Sequence, residues 1–402
     1  MKLVNQQLIK NTNLKLLYNS VFKNRGISRA ALARQTGLSR TAVSALIDEL
    51  SDRGFLFDSG TGDSSGAGRK PTCLELCAGN YFVAVFGWEE SSVHAFLIDI
   101  CGTTSMQMRL DKAPSDSYSQ ICRTFLMDQI LEQIRPEQLL GLCFVLPAMI
   151  DPEKEEVFST TFSLAGDQGE AGVIPCLRSL FPDYAVAVLN DTACCAYAEK
   201  IYTGIREKDY AFIRFSRGIG ASLFIQDKLL GQACASYTQF GHCSISHEGP
   251  PCPSGSRGCL EVVLSESTLK GRLQAKGTAS SLLSMDTVRY EDLGRAALYG
   301  DTAAVQVIRD LAGEFSFALS NLICLVHPRL IVLGGNSVSL GSVFLEEIRR
   351  SLSETGFARM TENVKLRYSQ LDSYACYNGA MKYFFDHHYQ FTEPMEGSFF
   401  IG

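Results

Sequence analysis

Ser28 and Ser39 each stand directly before a short amphipathic run, and Gly37 lies between the two runs. A serine hydroxyl in that position accepts a hydrogen bond from an otherwise orphaned N–H of the first helical turn. Glycine reaches positive φ without the steric cost that a Cβ imposes. The spacing predicts a helix over 29–35, a tight turn at Thr36-Gly37-Leu38, and a second helix over 40–52. Ala42, Val43, Leu46, Ile47 and Leu50 form the apolar stripe of that second helix. A further helix over 8–23, ended by Asn24-Arg25-Gly26, precedes them. Capped helix, glycine turn and capped helix make a helix-turn-helix pattern, whose second helix enters the major groove by its N-terminal part. Here that part carries Ser39, Arg40, Thr41 and Ser44, short hydroxyls and one guanidinium suited to phosphates and base edges. Arg29 and Arg34 are expected to hold the backbone from the first of the two helices.

The next residues read as a wing. A short strand at Gly54-Phe55-Leu56-Phe57 is followed by a Gly/Ser-rich stretch over 59–68, then Arg69-Lys70-Pro71, then a strand over 72–76. Arg69 and Lys70 at such a tip suit a narrow A·T-rich minor groove. Charge agrees. Of 37 basic and 43 acidic residues, 11 and 5 fall within 1–72, leaving 26 and 38 for the remainder. A basic front end on an acidic body points to a polyanion partner for the front end alone.

No run approaches the roughly 20 apolar residues of a membrane span, and the N-terminus is too polar for a signal peptide. A cytoplasmic protein with no membrane partner is expected, its 14 cysteines reduced. From residue 80 the pattern turns α/β. Strands are predicted over 81–87, 93–100, 106–110, 139–146, 184–189, 210–215, 221–225 and 330–333, with long helices between them, notably 302–326. Two strand-rich stretches suggest two lobes, although no sequence repeat is evident. Asn190-Asp191 falls where a strand gives way to a helix, a frequent ligand position in open α/β sheets. Gly218-Ile219-Gly220 and Gly334-Gly335 permit close backbone approach, and His242, Cys252 and Cys259 are ligand types that zinc selects.

The ordered set of these motifs resembles the ROK family of repressors, open reading frames and sugar kinases. It runs from Leu38-Ser39-Arg40-Thr41-Ala42-Val43-Ser44 and Gly68-Arg69-Lys70-Pro71 through Pro147…Asp151, Asn190-Asp191 and Gly218-Ile219-Gly220. It continues with Phe240-Gly241-His242, Cys252…Gly258-Cys259-Leu260-Glu261 and Leu330-Ile331-Val332-Leu333-Gly334-Gly335. The resemblance implies an α/β protein: a winged helix-turn-helix followed by a two-lobed, actin-like fold of the sugar kinase and RNase H type. The expected division is 1–76 for the winged helix, 77–190 for a first lobe completed by a C-terminal helix near 376–388, and 191–375 for a second lobe. It also implies a transcription regulator of carbohydrate metabolism, acting as a homodimer or homotetramer on a palindromic duplex. Its DNA affinity would respond to a sugar or sugar phosphate bound by Asn190, Asp191, Gln239, His242 and Glu261. Two other readings are an active ATP-dependent sugar kinase with an accessory DNA-binding domain, and a ligand-independent dimeric DNA-binding protein.

The chain departs from the family pattern at three places. The Asp-x-Gly-Gly-Thr type phosphate loop of the kinases is Phe86-Gly87-Trp88-Glu89-Glu90-Ser91 here, so neither ATP nor phosphotransfer is expected, with Asp191 a vestigial base. If not a base, Asp191 would serve as a helix N-cap. The sugar motif Glu-x-Gly-His reads Gln239-Phe240-Gly241-His242, Pro147-Ala148 replaces a Pro-Gly turn, and residues 151–189 hold no Asn. The zinc motif Cys-x-Cys-Gly-x-x-Gly-Cys has Ser254 in its middle ligand position. That leaves His242, Cys252 and Cys259, three of the four N/S ligands structural zinc normally takes, with the Cys243 side chain expected to point elsewhere. The aromatic-rich tail over 387–402 has no role in this reading.

Overall fold

A computed structural model describes residues 6–61, 72–151, 153–158, 160, 162–231, 238–277, 280–354 and 358–392. The chain forms two compact units, Met1–Phe144 with Leu164–Ala187 and Ala380–Gly402, and Val145–Ser163 with Val188–Gly379. No helix among the described residues is long and apolar enough to cross a membrane.

The first unit opens with α1 (Gln6–Lys23), β1 (Ile27–Ser28), α2 (Arg29–Thr36), α3 (Arg40–Asp52), β2 (Leu56–Thr61) and β3 (Thr72–Leu76). Ser28 Oγ accepts from Ala31 N–H and Ser39 Oγ from Ala42 N–H, both at 3.2 Å. Gly37 takes φ 73°, and its N–H caps Ala33 at 3.1 Å, which ends α2 and aims α3. Leu14, Leu17, Val21, Leu32, Val43, Ile47 and Leu50 are fully buried between the three helices. The short β1 pairs antiparallel with β3, which pairs with β2, so the wing sheet has three strands. A two-residue strand carries too little pattern to be read from sequence, and β1 was not expected.

The same core receives residues from far downstream. The helix Ala375–His387 and the segment after it bring Phe385 and Phe391 into the apolar cluster of the three helices. Phe391 meets Phe55 edge-on at 4.9 Å, and Tyr18 lies 4.6 Å from Phe385. The Arg53 guanidinium lies over Phe391 at 5.3 Å and donates to the Phe391 carbonyl at 2.7 Å, while Asn11 Oδ1 accepts from Phe391 N–H at 2.8 Å. Lys382, 2% exposed, donates to Asn19 at 2.8 Å and pairs with Asp386. Residues 387–392 of the tail therefore act as a strap; 393–402 lie outside the described residues.

Two five-stranded sheets build the rest. The first runs, in spatial order, Val186–Asn190, Leu139–Leu146, Phe82–Glu89, Ser92–Asp99, Thr104–Asp111. The second runs Lys228–Leu229, Ile219–Ile225, Tyr210–Phe215, Leu330–Gly335, Lys365–Tyr368. Numbered within its own sheet, each has the order 3-2-1-4-5, two hairpin partners on one side of the first strand and two later strands on the other. This duplicated topology has no counterpart in the sequence. In the second sheet Tyr210–Phe215 pairs antiparallel with Ile219–Ile225 and parallel with Leu330–Gly335. Behind it, the 25-residue helix Thr302–Val326 buries Val307, Ile308, Leu311, Phe315 and Leu319.

Candidate DNA-reading face and effector site

The capped turn leaves a defined set of side chains on the outside of α2 and α3. Arg34, Ser39, Arg40 and Thr41 are exposed and Ser44 is half-buried. The first turn of α3 carries no acidic residue, so the partial positive charge of its N-terminus adds to Arg40. Arg29 stands apart from this set. Its guanidinium donates to Asp48 at 2.5 Å, to Asp58 at 3.2 Å and to Ser44 Oγ at 3.2 Å. These bonds join the start of α2 to α3 and to the wing. Arg69 and Lys70 lie outside the described residues.

The expected effector residues all belong to the second unit. Asn190 is buried and bonded at both polar atoms: Oδ1 caps the following helix through Ala193 N–H at 2.9 Å, and Nδ2 donates to the Ala148 carbonyl at 3.0 Å. The cap is thus Asn190, and Asp191 is the first residue of the helix Asp191–Tyr202. Asp191 Oδ1 accepts from the Thr192 N–H at 2.7 Å and from its hydroxyl at 3.3 Å, while Oδ2 pairs with Arg214. Burial works against the Arg214 charge, but Asp191 outweighs it and holds the guanidinium above its ordinary range. An oxygen committed to that pair must be released before it can take a proton from a hydroxyl. Arg214 was missed in the sequence. The only signal was a basic residue within an otherwise apolar strand, Tyr210-Ala211-Phe212-Ile213-Arg214-Phe215.

Glu261, at the start of the short helix Leu260–Val263, accepts from Ile219 N–H at 3.0 Å. A Cβ at position 218 would overlap this carboxylate, which explains glycine at Gly218. Gln239 is exposed and precedes the single turn Phe240–His242. The sequence motifs thus meet as hairpin turn, carboxylate and histidine turn, with Asp191 held from the adjoining strand.

His242 also faces the cysteine loop. One ligand atom from each of His242, Cys252 and Cys259 lies within 4.8 Å of the others. Cys252 Sγ is 3.4 Å from His242 Nδ1, and Ser254 Oγ is 3.2 Å from Cys252 Sγ and 3.6 Å from Cys259 Sγ. Burial opposes ionisation of Cys252, but hydrogen bonds from Ser254 and with Cys259 and His242 prevail and bring its thiol down to about 7. One nitrogen and two sulfurs at this separation fit zinc, whose bonds are about 2.0–2.3 Å. Ser254 occupies the place of a fourth ligand, and the exposed Cys243 donates to the Gln239 carbonyl at 3.9 Å.

The turn that would hold phosphates in a kinase belongs to the first unit. Trp88 is 1% exposed and stacks on Tyr118 at 4.7 Å. The Tyr118 hydroxyl donates to the Glu89 carbonyl at 2.7 Å and lies 3.2 Å from that of Glu90. A hydrogen bond from His94 holds the Glu89 carboxyl below its usual range, so it stays anionic. An indole and a carboxylate thus stand on the hairpin where the family's kinases carry glycines.

Residues 10–56 match the winged helix-turn-helix DNA-binding family and residues 91–386 match the ROK family. The xylose repressor of Bacillus subtilis (strain 168) is 25% identical over 395 residues, covering 96% of this chain and 98% of that protein. A crystal structure of a ROK family transcriptional regulator, described as a homologue of the E. coli MLC protein, superposes with a TM-score of 0.79 at 22% identity. It covers 93% of this chain and 96% of its own. The ROK hexokinase of Thermus thermophilus gives 0.60 at 18% identity, covering 75% of this chain and 97% of its own. The winged helix followed by a sugar-kinase-like, actin-type body is therefore the fold of this chain.

Proposed function

The chain belongs to the ROK family, and from that premise we propose that it is a sugar-responsive DNA-binding transcriptional repressor without kinase activity. The carrying observation is the doubly capped helix-turn-helix, with Arg34, Ser39, Arg40 and Thr41 exposed at the start of α3 and at the end of α2. Arg34 and Arg40, with Arg69 and Lys70 of the wing, bind phosphates and give a steep salt dependence. Arg40, Thr41 and Ser44 read base edges, and Ser39 both caps α3 and offers its hydroxyl proton to a phosphate. A homodimer reads a palindrome, one half-site per winged helix. The name of the Bacillus relative supports a repressor of sugar metabolism.

The effector is a sugar or sugar phosphate held by Asp191, Glu261, His242 and Gln239. Asn190 positions Asp191 from its cap. The ligand shifts operator affinity only through its different affinities for the two states of the repressor. Zinc, when bound, crosslinks the cysteine loop to the histidine turn through His242, Cys252 and Cys259. The Asp191–Arg214 pair and the Trp88–Glu89 turn support the absence of phosphotransfer, whereas retention of Asp191 favours an active kinase. The test is a pair of measurements. Arg40→Ala must weaken binding to a selected duplex by roughly tenfold or more with an unchanged melting temperature, and a coupled kinase assay over neutral sugars must stay silent. Unchanged duplex binding by Arg40→Ala removes the reading face. Turnover that is lost in Asp191→Asn establishes the kinase instead.

A further inference from the structure

Arg40, Ser44 and Asp48 are spaced four apart on α3 and share one face of it. A duplex approaching this face meets a guanidinium, a hydroxyl and then a carboxylate. Asp48 is 58% exposed in its side chain, and Asp58 on the wing strand β2 is 42% exposed. Two open carboxylates beside a phosphate backbone oppose binding, because like charges several ångströms apart repel even at high dielectric.

Both carboxylates point at one residue. The forked guanidinium of Arg29 reaches Asp48 with one terminal nitrogen, at 2.5 Å, and Asp58 with the other, at 3.2 Å. The first nitrogen also donates to the Ser44 hydroxyl. Only arginine spans two carboxylates in this way, since a lysine ammonium is a single point charge. We propose that Arg29 is a positioning residue rather than a phosphate ligand. It is the internal counter-ion that neutralises Asp48 and Asp58 and fixes Ser44, so that the reading face meets DNA without opposing charge. This inference rests on the DNA-binding reading above and reassigns one residue within it. Its consequence is that most of the contribution of Arg29 to affinity exists only while the two aspartates are charged, the bond to Ser44 leaving a small remainder.

A double-mutant cycle reads this directly. The probe is the tightest duplex recovered by iterative selection from a randomised library with the full-length protein, and affinity is followed by fluorescence anisotropy. Arg29→Ala is expected to lose roughly tenfold in the wild-type background and less than about threefold in an Asp48→Asn/Asp58→Asn background. Equal losses in both backgrounds would show that Arg29 touches phosphate and would overturn the inference. Arg29→Lys guards against a folding artefact, because it keeps the charge. Lysine satisfies a phosphate but only one aspartate, so it should fall between wild type and alanine, and Asp58→Asn should restore it. Wild-type affinity in Arg29→Lys would also overturn the inference. Failure of the wild-type protein to enrich any duplex is a separate result, which removes the DNA-binding reading itself.

Discussion

Replacing Phe391 with alanine tests whether the strap holds the winged helix together. The ring is 5% exposed and lies in the apolar cluster with Leu14, Leu17, Tyr18 and Phe55. Truncating a buried phenylalanine costs about 3–5 kcal/mol. One feature places this site near the lower end: the backbone bonds from Phe391 to Asn11 and Arg53 do not need the ring. The loss of the Arg53 cation–π contact adds about 0.5–1 kcal/mol. The expected loss is therefore ~3–4 kcal/mol, felt first in α1 and α3. Hydrogen exchange of Leu14–Val21 reads it locally: protection should fall by roughly two to three decades, since each 1.4 kcal/mol is tenfold. Fluorescence of Trp88, the single tryptophan and a member of the same unit, reads it globally in urea. Phe391→Leu, which keeps most of the volume, should cost under about 1.5 kcal/mol. A change below tenfold in exchange for Phe391→Ala would refute the argument that the strap belongs to the core of the reading head.

Other outcomes follow from the same contacts. Ser254→Cys supplies a third thiolate, and so a fourth ligand, beside Cys252 and Cys259, and should raise resistance of bound zinc to a competing chelator by at least roughly tenfold; equal metal loss from wild type and variant would show that the loop is not a metal site. Burial holds Lys15 down to about 8, against the opposing pull of Asp386 and with the help of Lys382. Below that pH the folded protein carries a disfavoured cation. The unfolded chain keeps its proton until about 10.4, so stability due to this group rises with pH between the two values. Relative to Lys15→Met, the wild type should gain ~1–2 kcal/mol in denaturant unfolding between pH 7 and 9.5. A gap that does not move with pH would contradict the assignment.

What could be read from sequence was local. α3, the strands Leu139–Leu146 and Tyr210–Phe215, and the helix Thr302–Val326 appear within the limits their apolar runs and caps set. These elements announce themselves because capping, turn and burial signals lie within a few residues of each other. The motif residues of the candidate effector site were legible as types, and the turn at Gly218 as a place of close approach. What Asp191 actually faces was not legible. Arg214 reaches it from a strand 23 positions away, and the fork of Arg29 joins three elements. Neither pairing has a periodicity. The 3-2-1-4-5 order shared by both sheets also left no trace, because strand order is set by which backbones pair and many sequences satisfy the same pairing. The acidic partners of Arg29 were hidden for the same reason: a basic residue at a helix start gives no hint of two acids brought in from α3 and the wing.

The bonds that join Phe391 to Asn11 and to Arg53 span 380 and 338 positions. Chains emerge from the ribosome N-terminus first, at about 5–20 residues per second. The helices of the winged helix are therefore made early, yet Phe385 and Phe391 can complete their core only after nearly the whole ROK body has been translated. The part of the chain synthesised first is finished last.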